Sequence, residues 1–229
     1  MNHSPIIIAL DVPSAAEARR LVSALADASG FYKVGLELYA AAGMDFVREL
    51  KAEGKKVFLD LKLYDISEQV KRAVAVIAES GADFLTVHAV KSVMEAAAAS
   101  RGESLKLLAV TVLTSFDEQD VRDDGSAFTL SELVERRVGH AIGAGMNGIV
   151  CSSLEVAKVR AMTGPKMTLV IPGVRSAGKS TGDQKRIATP ADAIASGADY
   201  LVVGRQVTRA EDPRGELLKI LDEVSEHAH

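Results

Sequence analysis

The sequence predicts an α/β fold, a (β/α)8 TIM barrel, and three observations predict it. Short apolar β-type runs alternate with longer amphipathic segments along all 229 residues. Those runs are nearly continuous in apolar residues rather than alternating, as strands buried on both faces of a parallel sheet are. There are eight of them, and eight strand–helix units in 229 residues favour a closed barrel over a doubly wound open sheet, the other architecture such alternation allows.

The first strand, IIIALD (6–11), leads to SAAEARRLVSALAD (14–27), which opens on Ser14 with Glu17 at capping-box spacing. FYKVG (31–35) precedes GMDFVRELKAEG (43–54), a helical pattern that closes on glycine. VFLDLK (57–62) precedes SEQVKRAVAVIAESG (67–81), and DFLTVH (83–88) is the fourth strand. LKLLAVTVLT (105–114) is the fifth; an acidic loop, SFDEQDVRDDGSAF (115–128), expected to carry a short helix, separates it from TLSELVERRVGHAIGAG (129–145). GIVC (148–151) is followed by SLEVAKVRAMTG (153–164). MTLVIPG (167–173) opens into the polar loop VRSAGKSTGDQKR (174–186), and TPADAIASG (189–197) then begins on Thr189 with proline at the first helical position. YLVVG (200–204) and DPRGELLKILDEVSEH (212–227) complete the pattern. SGAD recurs in SGADFLTVH and SGADYLVVG as a repeated helix-to-strand turn, and no linker or charge block intervenes, so one domain is expected over 1–229. The loops at 115–128 and 174–186 exceed the usual two to six residues and both follow strands. In a barrel they lie on the C-terminal face, where sites are built, and are expected to act as lids.

Composition narrows the function. The chain is 48% hydrophobic and 25% charged with a net charge of -4, which argues against a nucleic-acid partner, since such a partner needs a basic face. The single cysteine, Cys151, excludes an internal disulfide and suits a reducing cytosol. MNHSPIIIALDV lacks basic residues and meets Asp11 too soon for a signal peptide, and no apolar run approaches the ~18 residues of a membrane span. A soluble, cytoplasmic protein with no membrane partner is expected.

Charges gather at the strand ends. Asp60 and Lys62 are two apart, so on a strand both point the same way. The second strand, FYKVG, contributes Lys33 at a similar position, and Asp11 is the last residue of the first. A structural ion-pair cluster would leave the same pattern, but buried charge is costly and rarely kept for stability alone. Strand seven ends into Arg175, the loop after it supplies Gln184, and strand eight ends with Gly204 and Arg205; barrels often bind phosphate with the loops after strands seven and eight. There a glycine admits backbone N–H groups, a helix start favours negative charge and arginine clamps bidentately. The residues alone therefore describe a barrel that binds a phosphorylated small molecule opposite a Lys/Asp cluster. His88 reads equally as mouth-lining or as a hydrogen-bonded structural histidine. Cys151, followed by two serines and without an obvious histidine partner, reads as a small core residue.

IALDV, FYKVG, FLDLKLYDI, VTVLTS, IPGVRSAG…GDQKR and VVGRQVT together resemble the orotidine 5′-monophosphate decarboxylase family, in order and spacing, over almost the whole chain. The most specific pieces are Asp-x-Lys-x-x-Asp-Ile at 60–66 and the Pro-Gly-x-Arg … Gly-Asp-Gln segment. The resemblance implies a carbon–carbon lyase of pyrimidine biosynthesis that removes carbon dioxide from orotidine 5′-monophosphate. By that resemblance Asp11 and Lys33 hold ribose hydroxyls and Lys33 joins the charge array. Asp60 sits beside the substrate carboxylate and Lys62 delivers the proton. Thr114, with Ser115 as the alternative, contacts the pyrimidine. Arg175, Gln184, Gly204 and Arg205 hold the phosphate, with Gln184 also near the base. Asp65, with Ile66 and Gln69 after it, reaches the site of a partner subunit, so a homodimer is implied. The family usually continues Asp-Ile-Pro-x-Thr, whereas Ser67, Glu68 and Gln69 follow here, so the expected threonine hydroxyl becomes a longer amide. Ser67 in place of proline frees φ, and either loosens the turn or caps the next helix.

No pyridoxal or thiamine motif and no metal cluster stands out in the sequence, so no cofactor is expected. A magnesium-dependent sugar-phosphate decarboxylase or aldolase of the same barrel superfamily shares the strand-three motif but not the Gly-Asp-Gln loop or Arg175. A non-catalytic nucleotide-binding relative is the reading that Gln69 leaves open.

Overall fold

In the computed structural model, which describes residues 4–178 and 188–225, eight parallel strands close on themselves in sequence order. They are β1 (Ile6–Ala9), β2 (Phe31–Gly35), β3 (Lys56–Leu63), β4 (Phe84–His88), β5 (Lys106–Val110), β6 (Gly148–Val150), β7 (Thr168–Pro172) and β8 (Tyr200–Val203). Closure is made by β8 against β1, with Ile6, Ile7 and Ile8 facing Leu201, Val202 and Val203. The helices around them are α1 (Ala15–Leu25), α2 (Leu36–Ala52), α3 (Ser67–Glu79), α4 (Lys91–Ala98), α5 (Glu118–Asp123), α6 (Leu130–Gly143), α7 (Val156–Thr163), α8 (Pro190–Ala195), α9 (Arg205–Thr208) and α10 (Pro213–Ser225). No helix among the described residues is long and apolar enough to cross a membrane.

Period two sorts each strand's side chains. One set faces the helices and joins the large shell of Ile8, Tyr32, Leu59, Leu85 and Ile171. The other fills the barrel: Ile7, Phe31, Phe58, Phe84, Leu108, Val170 and Val202 pack there, with Tyr200 against them. Phe31, Phe84 and Tyr200 meet edge-to-face with ring centroids 5.2–5.6 Å apart, so aromatic rings plug the N-terminal end. In the same inward phase, two residues further along, come Lys33, Asp60 and Thr86. On β2 and β3 the lumen thus changes from hydrocarbon to charge within one step, and on β4 to a hydroxyl.

Local signals explain most boundaries. Ser14 caps α1 by accepting from Glu17 N, and Thr189 caps α8 ahead of Pro190. The acidic loop after β5 carries α5, with Asp117 and Asp120 in a reciprocal capping box. The repeated SGAD turn is real: Gly81 and Gly197 both take positive φ, and the aspartate after each reaches back to the strand before it. Cys151 is fully buried in the core.

Four expectations shift. The second helix starts at Leu36 rather than Gly43, which instead marks a kink at φ 63 that only glycine adopts easily. A helix unassigned from the sequence, α4, follows β4, burying Val93, Met94 and Ala97 from an alanine-rich run. The fifth strand stops at Val110, whose β6 partner Val150 is the last residue of that strand; beyond it Val112, Leu113 and Thr114 line the mouth instead. Ser67 does not cap α3: Ile66 holds the cap position, without a side-chain bond.

Candidate active site

A cavity of about 550 Å³ opens at the C-terminal ends of the strands. Of the residues singled out in the sequence, Asp11, Lys33, Asp60, Lys62, Thr114, Arg175, Gly204 and Arg205 all line it, as does Ser115. Asp65, Ile66 and Gln69 do not; they are exposed at the start of α3, and the Asp65 carboxylate accepts from Ile66 N at 2.6 Å. Gln184 lies outside the described residues.

On one side the charges alternate in a chain. Lys33 Nζ donates to Asp11 Oδ1 at 2.7 Å and lies 3.6 Å from Asp60 Oδ2. Lys62 Nζ meets both Asp60 oxygens at 2.8 Å. Burial alone would push the Asp60 carboxyl up, but Lys33, Lys62 and hydrogen bonds from Lys62 and Thr86 hold it below the usual carboxylate range. Asp60 is therefore an anion at neutral pH, shared by two ammonium groups.

Backbone geometry aims Lys62. Its φ is 48, in the left-handed region, which costs a non-glycine residue about 1–2 kcal/mol. Such strain persists only where the surroundings hold it in place, and it gathers at functional sites. It coincides with a break in the β3–β4 register between Leu59 and Leu63. Gly35 makes room for the array: a Cβ there would come within 2.8 Å of both Asp11 Oδ1 and Lys33 Nζ.

The other side is built from the ends of β7 and β8. Arg175 is buried, and its proton affinity is lowered first by desolvation and then by the charge of Arg205. Two guanidinium groups close enough to oppose one another form a corner suited to a doubly charged anion. Gly204 starts α9, its carbonyl accepting from Val207 N and Thr208 N. Between the two poles Val110, Val150 and Val202 line an apolar floor.

Thr86 and Gly35 escape the sequence reading: period two turns both inward, Thr86 two beyond Phe84 and Gly35 two beyond Lys33, but does not mark either as part of a site. Glu37, Thr208 and Arg209 also line the cavity. His88 is not among its lining residues; its ring packs against Tyr64 at 5.5 Å. Burial, followed by Arg137 and Lys62, lowers its pKa and keeps it neutral at neutral pH. Among the described residues, no group of three or more His, Cys, Asp or Glu is placed to hold a metal ion.

Known proteins share this arrangement of chain. Residues 4–220 match the family model described as Orotidine 5'-phosphate decarboxylase / HUMPS family. A Rhodopseudomonas palustris (strain BisB5) protein named orotidine 5'-phosphate decarboxylase is 50% identical over 222 residues, covering 96% of this chain and 94% of that one. A Methylorubrum extorquens (strain PA1) protein of the same name is 48% identical over 221 residues, with 96% and 95% covered. The crystal structure of orotidine 5'-phosphate decarboxylase from Lactobacillus acidophilus matches with a TM-score of 0.86 at 33% identity, over 97% of this chain and 99% of that one.

Proposed function

The chain belongs to the orotidine 5'-phosphate decarboxylase / HUMPS family, and from that premise we propose that it decarboxylates orotidine 5'-phosphate to uridine 5'-phosphate in pyrimidine biosynthesis. The observation that carries this reading is the Asp11–Lys33–Asp60–Lys62 chain facing a two-arginine corner across one cavity. A nucleotide's phosphate seats against Arg175, Arg205 and Gly204, and Asp11 and Lys33 receive the ribose hydroxyls. The pyrimidine then lies over the valine floor beside Thr114 and Ser115, with its C6 carboxylate toward Asp60 and Lys62.

Loss of carbon dioxide leaves an electron pair at C6 in the ring plane, out of reach of the π system. Lys62 faces that carbon and delivers a proton, so one C–C bond breaks and one C–H bond forms. An ammonium about 4 Å from the developing anion contributes on the order of 4 kcal/mol at an effective dielectric near 20. The slowest uncatalysed reactions need ~20 kcal/mol, so the rest comes from binding energy realised remotely at the phosphate and ribose. Asp60, held ionised, crowds the departing carboxylate and holds the Lys62 amine in place through both of its oxygens.

The protein acts as a cytoplasmic homodimer in this reading. Leu36, Tyr64 and Ile66 are each more than 60% exposed on adjacent strand–helix connections, apolar surface that a second copy would cover. Asp65, Ile66 and Gln69 then complete the partner's site, with the Gln69 amide where relatives place a hydroxyl. The test is a spectrophotometric assay with orotidine 5'-phosphate in a chelator, alongside sedimentation. Turnover that survives the chelator, in a dimer, is expected. Turnover that requires added magnesium would favour the sugar-phosphate reading, uridine 5'-phosphate binding without turnover a non-catalytic relative, and an active monomer would remove the shared site.

A further inference from the structure

The β3–β4 ladder runs Phe58↔Phe84 and Leu59↔Leu85, then resumes at Leu63↔Val87. Residues 60–62 of β3 therefore face one residue of β4, Thr86. A bulge of this kind disrupts the ladder and leaves backbone groups without strand partners. The Thr86 side chain takes up the gap. Its Oγ1 accepts from Lys62 N at 2.9 Å and donates to Asp60 Oδ1 at 2.9 Å. A hydroxyl has a single proton, so with Lys62 N–H on a lone pair that proton is committed to the carboxylate. Thr86 is fully buried and is not among the cavity-lining residues, so it meets the array from behind.

We propose that Thr86 is the positioning residue of the array: one hydroxyl fixes both the turn that aims Lys62 and the orientation of Asp60, without touching substrate. The inference rests on the decarboxylase reading of the site. The charged groups facing Asp60 are Lys33 from β2 and Lys62 from its own strand. Any change on removing the hydroxyl is therefore read at Asp60 and Lys62.

The test compares Thr86→Val, which keeps the shape and loses the hydroxyl, with Thr86→Ser, which keeps the hydroxyl. Misplacing a catalytic group by about 1 Å costs on the order of 10²-fold, so Thr86→Val should lose about 10²-fold in kcat with KM and uridine 5'-phosphate affinity nearly unchanged. Thr86→Ser should recover most of that loss. In protein labelled with ¹³C at aspartate carboxyls, the Asp60 titration should move up toward the ordinary value in Thr86→Val and stay low in Thr86→Ser, because the valine removes a hydrogen bond to the charged form. Wild-type kcat in Thr86→Val, equal losses in Val and Ser, or an unmoved Asp60 titration would each overturn the proposal. If Thr86→Val does not fold, Thr86→Ala, which adds no bulk, carries the same expectations. A wild-type protein that turns over no orotidine 5'-phosphate sinks the decarboxylase reading instead, and the Asp60 titration, which needs no turnover, still decides the role of Thr86.

Discussion

Two sets of Lys/Arg–Asp pairs sit at opposite ends of this barrel, and they are built for different ends. At the N-terminal end, Asp83 accepts from Val57 N at 2.8 Å and from Lys51 Nζ at 2.7 Å. Asp199 repeats the arrangement with Leu169 N at 2.7 Å and Arg160 at 2.6 Å. Each ties its helix-to-strand turn to the preceding strand and to the helix ahead of that strand, and its oxygen completes a backbone hydrogen bond of the sheet. At the C-terminal end, Asp60 meets two ammonium groups and a threonine hydroxyl, all of them side chains. A charge bonded to backbone is fastened into the fold. One held only by other side chains gives none of its bonds to the sheet and is presented to whatever enters among them, and that difference separates the array from an ordinary structural cluster.

The comparison breaks most visibly at Lys62. Lys62→Ala should lower kcat by about 10⁴-fold or more, since it removes both the proton donor and the cation opposite the developing anion, while uridine 5'-phosphate binding and the thermal midpoint hold. An active Lys62→Ala enzyme would end the proposed chemistry. Arg205→Ala comes next. A charge-assisted hydrogen bond is worth about 1.5–3 kcal/mol, so KM should rise about 10–100-fold with a smaller fall in kcat, and unchanged KM would remove Arg205 from the phosphate corner.

The sequence announces the polar ends of this machine better than its middle. The eight strands, Asp11, Lys33, Asp60, Lys62 and the late arginines are legible because charge at the end of an apolar run is conspicuous. Thr86 is not, because a threonine in FLTVH is an ordinary strand residue until the register break opposite it is known. The φ of Lys62 is equally hidden: a lysine carries no mark of a left-handed conformation. Gly35 reads as a strand terminus, and only the closeness of Asp11 and Lys33 shows that a side chain would not fit. Gly43 misleads in the other direction, since its punctuation marks a kink within α2 and not a start. What the sequence lacks for Thr86, Lys62 and Gly35 is cross-strand register, a long-range property that no local pattern encodes.

The smallest effect on turnover belongs to the opposite end. Asp83→Ala leaves Val57 N without its acceptor and Lys51 without its partner, and should cost about 1–3 kcal/mol in urea unfolding with kcat unchanged. The molecule already contains the control. In the turn before β6 the same position is Asn147, whose Oδ1 accepts from Leu107 N at 2.9 Å and from Arg101 at 2.5 Å. An amide oxygen therefore does the same work without a charge, and Asp83→Asn should cost less than half of what Asp83→Ala does. If the two variants lose equal stability, the ion pair and not the backbone bond is what matters at this end, and the distinction drawn between the two sets of charges fails.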